Sequence, residues 1–446
     1  HIYADPSRAH TLGGGVFIAW CLAALGTVLF WCLALVSAQN LVRFVRREAK
    51  TLLMATLAAT LVGWLAFESG NLWGPMAQAT FVLAAFWLRV TGVQNIDIDP
   101  AEKIMGVGDF YVHVASACSG YEGIGLVVAF TAIYLWVYKN EFRFPQALLL
   151  FPLGAMCIWL LNSVRIAALV VLGAYVSPEV AVGGFHSQAG WLMFIATSLG
   201  LLWFAKRVSF FTVHAQTEKP VAGEQAVSHA TNSNRHATSE QAVATLIPLV
   251  VLLAASLLTS TFSAGFDYLY PLRVVAVAAA LAWVWQDLRW PKPVWSWQAI
   301  AAGLVVAVIW ALMLGQTTEA DNAVRQGLTT LSPSWAWLWL ACRFVGAVVT
   351  VPIAEELAFR GYLLCTMSRS SNYVRGPIPL VIIAMLGSSV AFGLLHGAWL
   401  AGTVAGLIYG LLRWRSQSII VPVIAHSVTN ASLFVFAFIT GRWGLL

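Results

Sequence analysis

Residues 148–176 read LLLFPLGAMCIWLLNSVRIAALVVLGAYV, an apolar run interrupted by one charge, Arg165. A helix needs roughly 20 such residues to cross a bilayer. With its flank from residue 145, the run is long for one span and short for two, so it predicts one long, tilted or broken crossing. Working outward, similar runs recur at 15–37, 51–68, 76–93, 121–138, 188–205, 243–263, 268–286, 297–315, 334–352, 378–395, 397–412 and 419–440. The whole chain, 446 residues, is 60% hydrophobic and only 10% charged, whereas soluble domains average roughly 45–50% apolar and about 25% charged. The sequence therefore predicts an all-α, polytopic membrane protein whose apolar runs supply roughly 12–15 spans.

The formal charge of +6 does not point to nucleic acid. The basic residues cluster beside the runs, as Arg43, Arg46, Arg47 and Lys50, Lys139 and Arg143, and Lys206 and Arg207. Such clusters mark cytoplasmic ends by the positive-inside rule, so the lipid bilayer is the expected partner. Of the six cysteines, Cys21, Cys32, Cys157, Cys342 and Cys365 fall in or beside apolar runs, where Cys behaves as a small hydrophobe. No CxxC pair or zinc-type spacing occurs. The chain opens at His1, which predicts truncation or processing. The segment after residue 15 lacks a basic n-region and reads as a span rather than a cleavable signal.

Composition changes most sharply at Gln216–Gln241, which is polar and without apolar periodicity. It predicts a flexible linker over 207–241, dividing the chain into transmembrane helical bundles at 1–206 and 242–446. The loop over 94–117 alternates at Ile96-Asp97-Ile98-Asp99 and is rich in strand formers at Phe110–Val114. It predicts a short hairpin over the membrane surface, ending at Cys118.

Three residues of the first bundle carry chemistry. Cys118 lies in Ala117-Cys118-Ser119-Gly120-Tyr121-Glu122-Gly123, at a helix entrance whose dipole favours thiolate. Arg165 lies in Asn162-Ser163-Val164-Arg165, inside the apolar run, where a charge is costly and by default marks a site. His186 precedes the run at 188–205. A thiolate can attack a carbonyl, a histidine can move the proton, and an arginine can hold the oxyanion or a substrate carboxylate. Singly, each has a bland reading: a capping Cys, a snorkelling Arg, a solvated loop His.

Together the Cys-Ser-Gly core, Asn162-x-x-Arg165 and His186 before a final span resemble the exosortase/archaeosortase family over roughly residues 50–206. The resemblance implies Cys118 as nucleophile, Arg165 as oxyanion or substrate stabiliser and His186 as acid/base, on the extracytoplasmic side of a bacterial inner membrane. Its substrates would be membrane-anchored proteins with a C-terminal sorting tail, passed to an acceptor the sequence does not identify. With the Arg43–Lys50 cluster inside, counting 76–93 as a full span puts Cys118 in the cytoplasm. One early segment is therefore expected to be re-entrant or interfacial.

The second bundle contains Glu355-Glu356-Leu357-Ala358-Phe359-Arg360, two carboxylates at the end of an apolar run. On a helix Glu356 and Arg360 share a face and can pair, while Glu355 points roughly 100° away and is left as a general base. His396 follows in Phe392-Gly393-Leu394-Leu395-His396, and His426 lies four residues before Asn430. A lone membrane histidine is as readily a helix–helix hydrogen bond as a site.

The patterns EExxxR, FxxxH and HxxxN, in this order, resemble the type II CAAX prenyl protease and bacteriocin-processing (CPBP) family over roughly residues 330–440. The resemblance implies that Glu355 and His396 activate water, that His426 and Asn430 hold the oxyanion, and that no cofactor is required. A metal on Glu355, His396 and His426 is the second reading. The order of the two resemblances is similar to exosortase/protease fusions of the VPEID-CTERM sorting system, which implies a Val-Pro-Glu-Ile-Asp-like motif in the substrate tail. The alternative class is a transporter or non-catalytic membrane scaffold with an intramembrane polar path. The two halves share no motif, so an inverted repeat lacks support.

Overall fold

A computed structural model describes residues 38–54, 73–213, 225–288, 296–314, 318–369, 374 and 376–445, with isolated positions before residue 61. The span read at 15–37 falls almost wholly outside these residues, and the one at 51–68 in large part. Contacts divide the chain into His1–Pro75 and Met76–Leu446. Within the first unit, helix α1 (Ala38–Arg47) ends on Arg46 and Arg47, the basic cluster of the sequence.

The second unit is helical apart from one small sheet. Helix α2 (Trp73–Val90) leads into three antiparallel strands, β1 (Ile96–Asp99), β2 (Ile104–Val107) and β3 (Phe110–His113), in the order β1-β2-β3. The predicted hairpin is thus a three-stranded meander. The strand missed in the sequence, Ile-Met-Gly-Val, is too short and too uniformly buried to show an alternation. Asp99 Oδ1 accepts from the amides of Ala101 and Glu102 and closes the first turn. Gly108, at φ +60°, supplies the left-handed residue of the second.

Three helices stand behind the sheet: α3 (Tyr121–Val137), α4 (Leu150–Tyr175) and α5 (His186–Arg207). The run that opened the sequence is one continuous helix of 26 residues, α4. Phe81, Ala84 and Leu88 of α2 pack with Met105, Val107, Val114, Ile166 and Val170 in one core. One face of helix α2 is therefore packed against the sheet and α4. Phe110 of β3 fills the space a side chain at Gly173 would need, which pins the sheet to the end of α4. Cys118 and His186 open α3 and α5 at the sheet end, while Lys139, Lys206 and Arg207 lie at the other ends of these helices.

Helix α6 (Gln225–Thr261) leads into α7 (Tyr270–Val284), α8 (Trp297–Met313), α9 (Thr318–Thr330) and α10 (Pro333–Val345). The last continues through π-helical turns Gly346–Thr350 and Leu357–Leu363, which flank α11 (Val351–Glu356). Helices α12 (Ile378–Leu394), α13 (Trp399–Ser416) and α14 (Ile420–Thr440) complete the bundle. Gly402, Gly406 and Gly410 form a small-residue stripe on α13. A Cβ at Gly406 would lie 2.9 Å from the Ser389 Cα, and one at Gly402 2.9 Å from the Gly393 Cα. Small residues let helices in lipid approach this closely, and dispersion then holds them. At the start of α5, backbone oxygens of Ser260 and Ser263 occupy the space a Gly184 side chain would take, so α5 abuts the end of α6 directly.

Five stretches are long and apolar enough to cross a bilayer among the described residues: Gln146–Tyr175, Pro178–Arg207, Gln241–Thr261, Pro333–Met367 and Ile420–Thr440. Four shorter apolar helices accompany them. Large side chains face outward, with Trp136, Trp283, Leu312 and Ile439 at 74%, 75%, 80% and 76% exposed. Outer faces of this kind belong against lipid, so the chain is an all-α, multi-pass membrane protein.

Candidate active sites

Cys118 sits in a single 3₁₀ turn, Ser116–Ser119, between the sheet and α3. Gly120 follows at φ +84°, and this left-handed residue swings the chain into the helix. The Asn162 side chain lies 3.0 Å from where a Cβ at Gly120 would be. Asn162 Nδ2 donates to the Cys118 carbonyl at 2.9 Å, and Asn162 Oδ1 accepts from Arg165 Nη1 at 3.2 Å. Arg165 Nη2 in turn donates to the His186 carbonyl at 2.5 Å. One hydrogen-bonded chain, Cys118–Asn162–Arg165–His186, thus links the three motifs read in the sequence. Arg165 Nε is buried and has no hydrogen-bond partner among the described residues. A guanidinium has five N–H donors, and this one remains for a further acceptor.

A cavity of about 50 Å³ lies over this chain, lined by Val112, His113, Val114, Cys118, Arg165, Ile166, Leu169 and His186. The fold therefore brings the cysteine, arginine and histidine to one opening. His113 is a fourth polar group the sequence reading did not select. Its only signal was a histidine closing a strand five residues before the cysteine.

Around the second set, Arg360 Nη1 meets Glu356 Oε1 at 2.9 Å, with side chains 1% and 0% exposed. Arg360 Nη2 also donates to the Gly406 carbonyl at 3.2 Å, and the guanidinium lies 4.2 Å from the Phe392 ring centroid. His426 donates from Nδ1 to the same Glu356 oxygen at 3.0 Å. Tyr409 stacks on His426 at 5.0 Å and donates its hydroxyl to Thr429 at 2.7 Å. The Glu356–Arg360 pair thereby fixes the ring of His426.

Glu355 differs from its neighbour. Its Oε2 is buried and lacks a hydrogen-bond partner among the described residues, yet it lies 3.9 Å from both His396 Nε2 and His426 Nε2. His396 occupies the turn after α12, not the helix interior. Its Nδ1 lies 2.8 Å from the Phe392 carbonyl. A carbonyl only accepts, so Nδ1 carries a proton, and Nε2 is the ring nitrogen that faces Glu355. His396 is also the most exposed of the group, at 23%. Asn430 stands one turn beyond His426 and gives Nδ2 to the Ala347 carbonyl at 2.8 Å, tying α14 to the first π turn. Among the described residues, no group of three or more His, Cys, Asp or Glu side chains is spaced to hold a metal ion.

The comparisons with known families point to membrane-embedded peptidase activity. Residues 4–203, which include Cys118, Arg165 and His186, match the family model of transmembrane exosortases. Residues 333–432, which include Glu355, His396, His426 and Asn430, match that of type II CAAX prenyl endopeptidase Rce1-like proteins. One polypeptide thus carries an N-terminal exosortase-type match and a C-terminal CAAX-protease-type match. No curated protein and no solved structure matches it.

Proposed function

We propose that the chain is a sorting enzyme of the bacterial inner membrane with two peptide-cleaving sites. The supporting observation is the single cavity shared by Cys118, Arg165 and His186, with their motifs joined through Asn162. At this site the Cys118 thiolate attacks a backbone carbonyl of a membrane-anchored protein, next to its C-terminal tail span. Arg165 supplies its Nε–H, which has no partner among the described residues, to the oxyanion. His186 protonates the leaving amine, and the thioester is then resolved by an acceptor nucleophile that loses its proton to His186. The cavity lies at the ends of α3 and α5 opposite Lys139, Lys206 and Arg207, so positive-inside orientation turns it to the extracytoplasmic side. Resemblance to VPEID-CTERM fusions suggests a Val-Pro-Glu-Ile-Asp-like motif before the tail span.

At the second site Glu355 takes a proton from water, the resulting hydroxide attacks the amide carbon, and as the C–N bond breaks Glu355 returns that proton to the leaving amine. The 3.9 Å spacings are too long for direct hydrogen bonds and suit an oxygen shared by Glu355, His396 and His426. His396 Nε2 helps orient that water. His426 can donate to the oxyanion from Nε2 only as the imidazolium, because its Nδ1–H is given to Glu356. Asn430 would use the second N–H of its amide. A consistent division of labour is that the first site releases the hydrophobic tail and the second destroys it.

Co-expression with a tagged tail-bearing protein tests this, read by mass spectrometry with each site altered in turn. Cys118→Ala leaves the substrate uncut, and Glu355→Ala allows cleavage but stabilises the tail fragment. Unchanged cleavage by Cys118→Ala sinks the first assignment. Unchanged fragment turnover by Glu355→Ala sinks the second.

A further inference from the structure

Successive residues of a strand face opposite sides of a sheet. Yet the consecutive residues Val112, His113 and Val114 all line the Cys118 cavity. Val112 and His113 belong to β3 and Val114 follows it, so the cavity lies at the C-terminal end of this strand. β3 is an edge strand, bonded to β2 on one side alone. Val114 N donates to the Lys103 carbonyl, and the register pairs Met105 with Val112 and Val107 with Phe110. In an antiparallel pair, alternate residues give their N–H and C=O to the partner. Phe110, Val112 and Val114 therefore point their backbone groups at β2, while Tyr111 and His113 point theirs away. The His113 carbonyl is taken by Ala115 N at 3.1 Å. Among the described residues, the Tyr111 N–H, Tyr111 C=O and His113 N–H remain without a backbone partner, and His113 lines the Cys118 cavity.

From this geometry we infer that the substrate segment flanking the scissile bond binds in extended form as a fourth strand on the outer edge of β3. This rests on Cys118 being the nucleophile. The Tyr111 N–H and C=O match one rung of an antiparallel ladder, which needs an N–H and a C=O from the same peptide residue, and the His113 N–H offers one further donor. Edge strands recruit peptides through main-chain bonds, with side chains at alternate positions read by pockets. The residue at His113 reaches the cavity, and the chain then runs along β3 past Tyr111. The occupant is a peptide and not lipid, because acyl chains have no partner for unbonded amides. The register accounts for an otherwise unused edge of polar backbone beside the reaction cavity.

The test uses the full chain in detergent and a set of synthetic tail peptides, each N-methylated at one residue near the cleavage point. N-methylation removes one main-chain donor, and a backbone hydrogen bond accounts for roughly tenfold in binding at most. The expected result is one sensitive position, the residue whose N–H meets the Tyr111 carbonyl: KM rises about tenfold there and is nearly unchanged at its neighbours. Tyr111→Pro deletes an outward N–H without deleting a β2–β3 bond, and is expected to raise KM with every peptide. Site-resolved alkylation of Cys118 by iodoacetamide checks that this variant is folded. Equal tolerance of methylation at all positions, or a Tyr111→Pro variant with normal alkylation and normal KM, overturns the inference. If Cys118→Ala cleaves the unmodified peptide normally, the reading of the site fails first, and the two failures are thereby told apart.

Discussion

Replacing Arg360 by Met isolates the energetics of the second bundle. Arg360 and Glu356 are 1% and 0% exposed, so the deletion leaves a carboxylate in the interior with only His426 beside it. Breaking one partner of a buried ion pair costs about 3–5 kcal/mol, because the surviving charge is uncompensated. The loss of the Gly406 bond and the Phe392 stack overlaps with this cost and is not added to it. Replacing both residues, as Glu356→Gln with Arg360→Met, removes the stranded charge and is expected to recover all but about 1–2 kcal/mol, since apolar isosteres of a buried pair are often neutral. Unfolding in mixed micelles by titration with sodium dodecyl sulfate measures the cycle. Both variants should nevertheless lose activity at the second site, because Glu356 holds His426. An Arg360→Met cost below about 1 kcal/mol, or a double variant no more stable than the single, refutes the reasoning.

Other outcomes follow from the same geometry. Glu355→Gln keeps the shape but removes the base, so tail-fragment cleavage falls by about 10²–10⁴-fold while the unfolding midpoint holds or rises. Asn162→Leu severs the link from the Cys118 carbonyl to Arg165. It should cost roughly 1–3 kcal/mol and reduce cleavage at the first site only, by comparison of both products in one gel. Asn430→Ala loses the bond to Ala347, and a drop in kcat at constant KM separates an oxyanion role from a structural one. Preincubation with phenanthroline should leave fragment cleavage unaltered, and loss of activity restored by zinc would reverse the assignment.

Much of the second site was legible because it depends on short-range periodicity. The four-residue spacing of Glu356 and Arg360 sets their pairing whatever surrounds them. The membrane class was legible because lipid leaves its mark on composition. The structure adds that both glutamates converge on His426, one at each ring nitrogen, although they point in different directions from the helix. That convergence depends on how α11 and α14 pack, which no local spacing encodes. The π turns at Gly346–Thr350 and Leu357–Leu363 were equally invisible, since nothing in their composition distinguishes them from α-helix. At the first site the order of motifs was readable, but the role of Asn162 as the link between them was not. Its bonds span 44 residues to Cys118 and only three to Arg165. The middle strand β2 escaped because tertiary burial, not alternation, makes Ile104–Val107 a strand.

Gly184 carries a consequence for how such a chain can vary. The position belongs to the exosortase-type part, but the oxygens filling its side-chain space belong to residues 260 and 263, beyond that part. Any methyl group added there must move the end of α6 or the turn that delivers His186. A substitution harmless to either part in isolation is then unacceptable to the joined protein. The covalent continuity of the chain is accordingly matched by a steric one, in which a glycine within residues 4–203 and the backbone at 260–263 cannot change independently.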